Sequence, residues 1–121
     1  MSTRAASKGV LITLHEDASA DETIGKVLAI PASITRHTFY VRSGVGVASG
    51  AVTFETADNP EYTGTWAPLV NDLETPTANP LTVPAASAEA IYTYVGSLAA
   101  VRARISTVIG GGTISVFYIG H

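Results

Sequence analysis

The sequence predicts an all-β domain, an antiparallel β-sandwich of about eight strands with a jelly-roll-like arrangement. Three observations lead there. Short runs of alternating apolar and polar residues recur at spacings of roughly a dozen residues, separated by glycine, proline and asparagine. Helical periodicity is almost absent, and the only candidate, residues 85–90, is too short to stand as a helix. The length, 121 residues, suits one domain and leaves no room for a second.

Residues 1–8 read as an N-terminal arm and residues 9–121 as the sandwich. Residues 10–14 form the first run, with Val10, Ile12 and Leu14 on one face. Residues 23–30 follow, carrying Ile24, Val27, Leu28 and Ile30. Their imperfect alternation predicts a bulge or an irregular entry, and Pro31 ends the strand because proline has no N–H to give a ladder. In residues 36–43, His37, Phe39 and Val41 share one face and Arg36, Thr38, Tyr40 and Arg42 the other. The glycine-containing stretch 44–50 breaks the pattern, and residues 51–56 resume it with Val52 and Phe54 inward.

Asn59-Pro60 opens a turn that Gly64 closes. Residues 65–70 are then a short strand holding the single tryptophan, Trp66. Residues 71–84 contain Pro76, Pro80 and Pro84 and read as a loop with one extended piece at 81–83. Residues 88–95 form a strand in which Ile91 and Val95 flank Tyr92 and Tyr94. Residues 99–108 alternate most cleanly, Val101, Ala103 and Ile105 against Arg102, Arg104 and Ser106. Gly110-Gly111-Gly112 turns the chain into residues 113–119, where Ile114, Val116 and Tyr118 alternate with Ser115, Phe117 and Ile119. A hairpin is expected between these last two strands.

Composition narrows the function. Charged residues are 14 % of the chain, against roughly 25 % in an ordinary soluble domain. A surface built from Ala, Thr, Val, Ser and Gly is weakly hydrated and suits broad contact with a protein partner. The formal net charge of −3 offers no basic face, so no nucleic-acid partner is expected. No cysteine is present, which excludes disulfides and thiol chemistry. No apolar run approaches the ~18 residues of a membrane span, and no stretch of signal-peptide type precedes Val10.

Chemistry-bearing patterns are sparse. His15, His37 and His121 stand far apart in sequence, and the plain reading is three satisfied or exposed imidazoles. Carboxylates gather at Glu16, Asp17, Asp21 and Glu22 and at Glu55, Asp58 and Glu61, without the alternating order of a calcium loop. The Gly44–Gly50 stretch has neither a nucleophile elbow nor a dinucleotide fingerprint. No catalytic residue, cofactor or metal is expected. Arg102 and Arg104 share a strand face, placed either to clamp an acidic group on a partner or to pair with carboxylates of their own chain. Trp66 with Tyr62 is either a sugar-stacking platform or core. Arg4 and Lys8 supply charge to the arm.

The second half resembles a known family. Val52-Thr53-Phe54-Glu55-Thr56 runs through an acidic turn to Thr65-Trp66-Ala67-Pro68-Leu69, then through a proline-containing loop to Ile91-Tyr92-Thr93-Tyr94. Val101-Arg102-Ala103-Arg104-Ile105, a glycine turn and Ile114-Ser115-Val116-Phe117-Tyr118-Ile119-Gly120 complete the series. This layout is similar to small β-sandwich decoration (cement) proteins of tailed-bacteriophage capsids, although Glu61-Tyr62-Thr63-Gly64-Thr65 replaces the aspartate-glycine usual before the tryptophan. The resemblance implies a non-enzymatic protein on the outer surface of the virion, made in the host cytoplasm. It would bridge major capsid protein subunits, self-associate as a dimer or trimer, and touch neither nucleic acid nor membrane. Arg4, Lys8, Trp66, Arg102 and Arg104 would be its partner-binding residues, with residues 1–8 as a strap. The alternatives are a carbohydrate- or receptor-binding module of a phage fibre or tail, resting on Trp66, and a small enzyme on a cupin-like barrel.

Overall fold

The computed structural model describes residues 3–20, 22–70 and 79–121. Asp21 and most of the proline-containing loop, residues 71–78, therefore lie outside the described residues, as does the start of the arm. The described chain is all β, with no helix. Its strands are β1 (Thr3–Ala5), β2 (Ile12–Ala18), β3 (Val27–Ala29), β4 (Arg36–Ser43), β5 (Ser49–Ala57), β6 (Ala67–Pro68), β7 (Leu81–Thr82), β8 (Glu89–Val95), β9 (Ala100–Gly110) and β10 (Ile114–Gly120). They form a six-stranded sheet in the order β1-β3-β9-β5-β6, with β7 also on β5, and a four-stranded sheet in the order β2-β10-β4-β8.

Alternation fixes which side chains enter the interior. On β4, His37, Phe39 and Val41 are buried, while Arg36 and Arg42 are exposed. On β10, Ile114, Val116 and Tyr118 point inward. Phe54 of β5 meets them from the other sheet. Its ring stacks on Phe39 at 4.5 Å and on Tyr92 at 5.0 Å, and Tyr118 tilts against Phe39 at 5.2 Å. This aromatic cluster joins the two sheets, and Leu28, Val52, Val101 and Ile105 fill the space around it.

The expected hairpin between the last two strands does not form. β9 pairs with β3 and β5, and β10 pairs with β2 and β4. The glycine run carries the chain from one sheet to the other. Gly111 has φ +87, and a Cβ there would collide with the Gly46 carbonyl, so only glycine passes. Residues 85–90 form no helix and lead into β8. β2 runs four residues beyond the expected end, because register shifts opposite β10 turn His15 inward and keep the polar stretch in the ladder. The arm is part of the fold: β1 pairs in parallel with β3, Ala6 is buried, and Lys8 bridges to Gly120.

Candidate interaction surfaces

Two of the five candidate partner-binding residues are buried. Trp66 is 2 % exposed and packs with Val27 and Ala100 on the outer side of the six-stranded sheet. Its indole Nε1 donates to the Tyr62 carbonyl at 2.9 Å. The Arg102 guanidinium lies 4.4 Å from the Trp66 ring centroid, and its Nε donates to Glu55 Oε1 at 2.9 Å. Arg104 takes the other oxygen of Glu55 at 3.0 Å and reaches the exposed Glu22 carboxylate as well. Register explains the cluster, since β5 and β9 set Glu55 opposite Arg102 and Thr53 opposite Arg104. The arginines therefore pair within their own chain, and Trp66 has no face to offer a sugar. Arg4 and Lys8 remain exposed.

The histidines follow the same pattern. His15 is buried and its Nε2 meets the Ala103 carbonyl at 2.7 Å, tying β2 to β9. His37 is fully buried, with Nε2 2.9 Å from the Gly96 carbonyl and Nδ1 2.7 Å from the Tyr118 hydroxyl. A neutral ring satisfies both contacts: Nε2–H donates to the carbonyl and Tyr118 donates to Nδ1. Burial lowers the pKa of both rings and raises that of the Tyr118 phenol well above its ordinary value. Among the described residues no three of His, Asp and Glu gather where a metal ion would sit.

The outer face of the four-stranded sheet is different. Strand pairing sets its side chains in rows. Ser115, Arg42 and Glu89 lie in register, then Thr13, Phe117, Tyr40 and Ile91, then Ile119, Thr38 and Thr93, and finally Arg36 and Val95. A shallow groove of about 380 Å³ runs over this face, lined by Leu11, Tyr40, Arg42, Glu89, Phe117 and Ile119. Arg42 lies over the Phe117 ring at 5.1 Å and pairs with Glu89 at 3.1 Å. Leu11, Ile91 and Val95 are each about half exposed, so an aromatic and aliphatic strip crosses the sheet. Sequence reading passed over it, although its signal was present: residues 114–119 are apolar on both faces, the mark of a strand covered on both sides.

A second apolar feature stands at one end of the domain. Backbone hydrogen bonds gather its loops. Gly44 N–H reaches the Thr113 carbonyl, Ala48 N–H the Gly110 carbonyl, Ala86 N–H the Val47 carbonyl and Ile109 N–H the Ser19 carbonyl. Val45 stands on this braced end at 87 % exposure, the most exposed large hydrophobic among the described residues.

No family model and no curated protein matches the sequence. Among solved structures, the chain is similar to the SPBc2 prophage-derived protein YomS, with a TM-score of 0.61, 18 % identity and 90 % of each chain covered. The likeness is one of fold.

Proposed function

We propose that this chain is a non-enzymatic structural protein of a tailed-bacteriophage virion. It binds the outer surface of the capsid and stabilises contacts between major capsid protein subunits. One observation carries the reading: His15, His37, Glu55 and Arg102 are buried and bonded within the chain, while Val45 is held in solvent on a braced end. Burying a valine on contact is worth roughly 1.5–2 kcal/mol, and a rigid tip loses little entropy in binding. The fold shared with a prophage-derived protein supports a phage setting. The strand orders support a jelly roll, since most consecutive strands from β2 onward lie in opposite sheets. In this reading no cofactor, nucleic acid or membrane takes part, and Trp66, on which the carbohydrate-binding alternative rests, is buried.

The mechanism is linkage. A protein that binds assembled shell and not dispersed subunits stabilises the shell, and many weak contacts on one particle sum to a strong one. The test uses phage shells lacking the protein, with purified chain added back. Bound chain should raise the temperature at which the shells release DNA, and Val45→Asp should weaken binding at least ten-fold. Shells that lose DNA at one temperature with and without the chain would overturn the reading.

A further inference from the structure

We propose that the domain docks end-on, seating the uncharged end around Val45 and Val108 in an uncharged apolar hollow of another protein. This deepens the shell reading and rests on it: the hollow then belongs to a capsid subunit, and the strands stand upright on the shell. The argument begins with where charge is missing. Residues 18–20, 43–50, 83–88 and 106–113 meet at this end, and none of them is Asp, Glu, Lys or Arg. The opposite end is ordinary, with Lys8, Arg36, Asp58 and Glu61 all exposed. Depletion of charge is what separates the core of a protein contact from general surface. The nearest charges at the uncharged end form a rim. They are Asp17, whose carboxylate takes the Thr113 hydroxyl at 3.5 Å, and the Arg42–Glu89 pair.

Two valines rise inside that rim. Val45 is 87 % exposed and Val108 is 55 % exposed. A register shift turns Val108 outward. Between the pairs Ser49–Gly110 and Ala51–Thr107, β9 sets two residues, Val108 and Ile109, against Gly50 alone. Ile109 enters the core and Val108 is left in solvent. Bonds between the loops hold both valines in place. Ser43 Oγ donates to the Pro84 carbonyl at 2.6 Å, and Val83 N–H to the Gly50 carbonyl at 3.1 Å. The two glycine turns lie so close that a Cβ on Gly46 would strike the Gly111 carbonyl. An apolar knob fixed in this way loses little freedom on entering a preformed hollow.

The missing charge also selects the occupant. A charged group opposite these loops would lose its water and gain no counter-charge, so the receiving hollow is uncharged too. The groove of a second copy does not meet that condition, because Arg42 and Glu89 line it. A lipid surface fits poorly as well. Anionic headgroups are met by clustered Lys and Arg, whereas the end has none and its rim sets two carboxylates against one arginine. What remains is a neutral, concave patch on a protein.

The test measures binding of the full chain to phage shells that lack it, at about 50 mM and about 500 mM salt. Affinity should change by less than about three-fold between the two, because no ion pair is made. Val108→Asp and Ala86→Asp, both at exposed sites, should each weaken binding about ten-fold or more with an unchanged circular dichroism spectrum. Arg36→Glu and Glu61→Lys, at the opposite end, should leave it within about two-fold. Phosphatidylcholine vesicles should not carry the chain in flotation. Four results would overturn end-on docking and leave the shell reading standing: affinity that falls about ten-fold in high salt, full binding by both aspartate variants, loss of binding in Arg36→Glu or Glu61→Lys, or flotation with the vesicles. A wild type that binds no shells at either salt would overturn the shell reading itself, and end-on docking with it.

Discussion

Arg102 and Trp66 are stacked, the guanidinium 4.4 Å from the ring centroid, and both are buried where a strand face would ordinarily meet water. The ring covers the charge from solvent, and Glu55 neutralises it from the side at 2.9 Å. Trp66 is therefore a lid over an ion pair. Its replacement by alanine should cost about 3–5 kcal/mol, the usual loss for a buried aromatic. Urea denaturation of Trp66→Ala measures it, and a loss under 1 kcal/mol would contradict the lid role.

Glu55 serves two arginines with one carboxylate. Glu55→Gln leaves the Arg102 guanidinium buried without its counter-charge, and a broken buried pair costs roughly 3–5 kcal/mol. Arg42→Ala removes an exposed pair, with side chains 63 % and 39 % exposed, and should change stability by about 0.5 kcal/mol or less. The contrast between the two variants in one denaturation series tests the difference in burial.

Asn79 stands in for a missing strand residue. Its Oδ1 accepts the Phe54 N–H at 3.0 Å, while Nδ2 donates to the Phe54 and Leu69 carbonyls at 2.9 and 2.8 Å. Asn79→Ala leaves the Phe54 N–H unpaired and the Leu69 carbonyl with only the Tyr92 hydroxyl at 3.4 Å, and should cost about 2 kcal/mol. Asn79→Asp should be worse above pH 5, because a carboxylate faces two carbonyls. Melting temperatures of the two variants rank them.

Stability should fall in mild acid. Burial holds the pKa of His15 and His37 below its ordinary value in the folded chain, whereas the unfolded chain takes up protons near 6.5. Below about pH 6.5 the unfolded state binds more protons, so stability is complete above that pH and declines as pH drops toward the lowered folded values. The urea midpoint should be lower at pH 5.5 than at pH 7.5. His37→Gln should narrow the gap while lowering stability at both. A midpoint equal at the two pH values would refute the assignment.

Much of the sheet structure was legible in local pattern. Residues 36–43 were read with the bounds of β4, because alternation there is unbroken and turn residues flank it on both sides. β8 and β9 were equally clear. What local pattern does not carry is the partner of a strand. β9 and β10 are separated by three glycines and looked like a hairpin, but each needs two neighbours, and those come from distant parts of the chain. The same reason hides Glu55 from Arg102 and Arg104, although the sequence allows pairing within the chain as one of two readings. Core is one of the two readings the sequence allows for Trp66, but the residues that bury it, Val27 of β3 and Ala100 of β9, lie far from it in the chain.

The order of synthesis adds a consequence. β10 is built last of the ten strands, yet it sits inside the four-stranded sheet with β2 on one side and β4 on the other. Until residues 114–120 have left the ribosome, those two early strands have nothing to hold them together. Nascent chains must therefore wait for this closing segment, and a truncation within residues 114–120 would remove the keystone of the whole sheet.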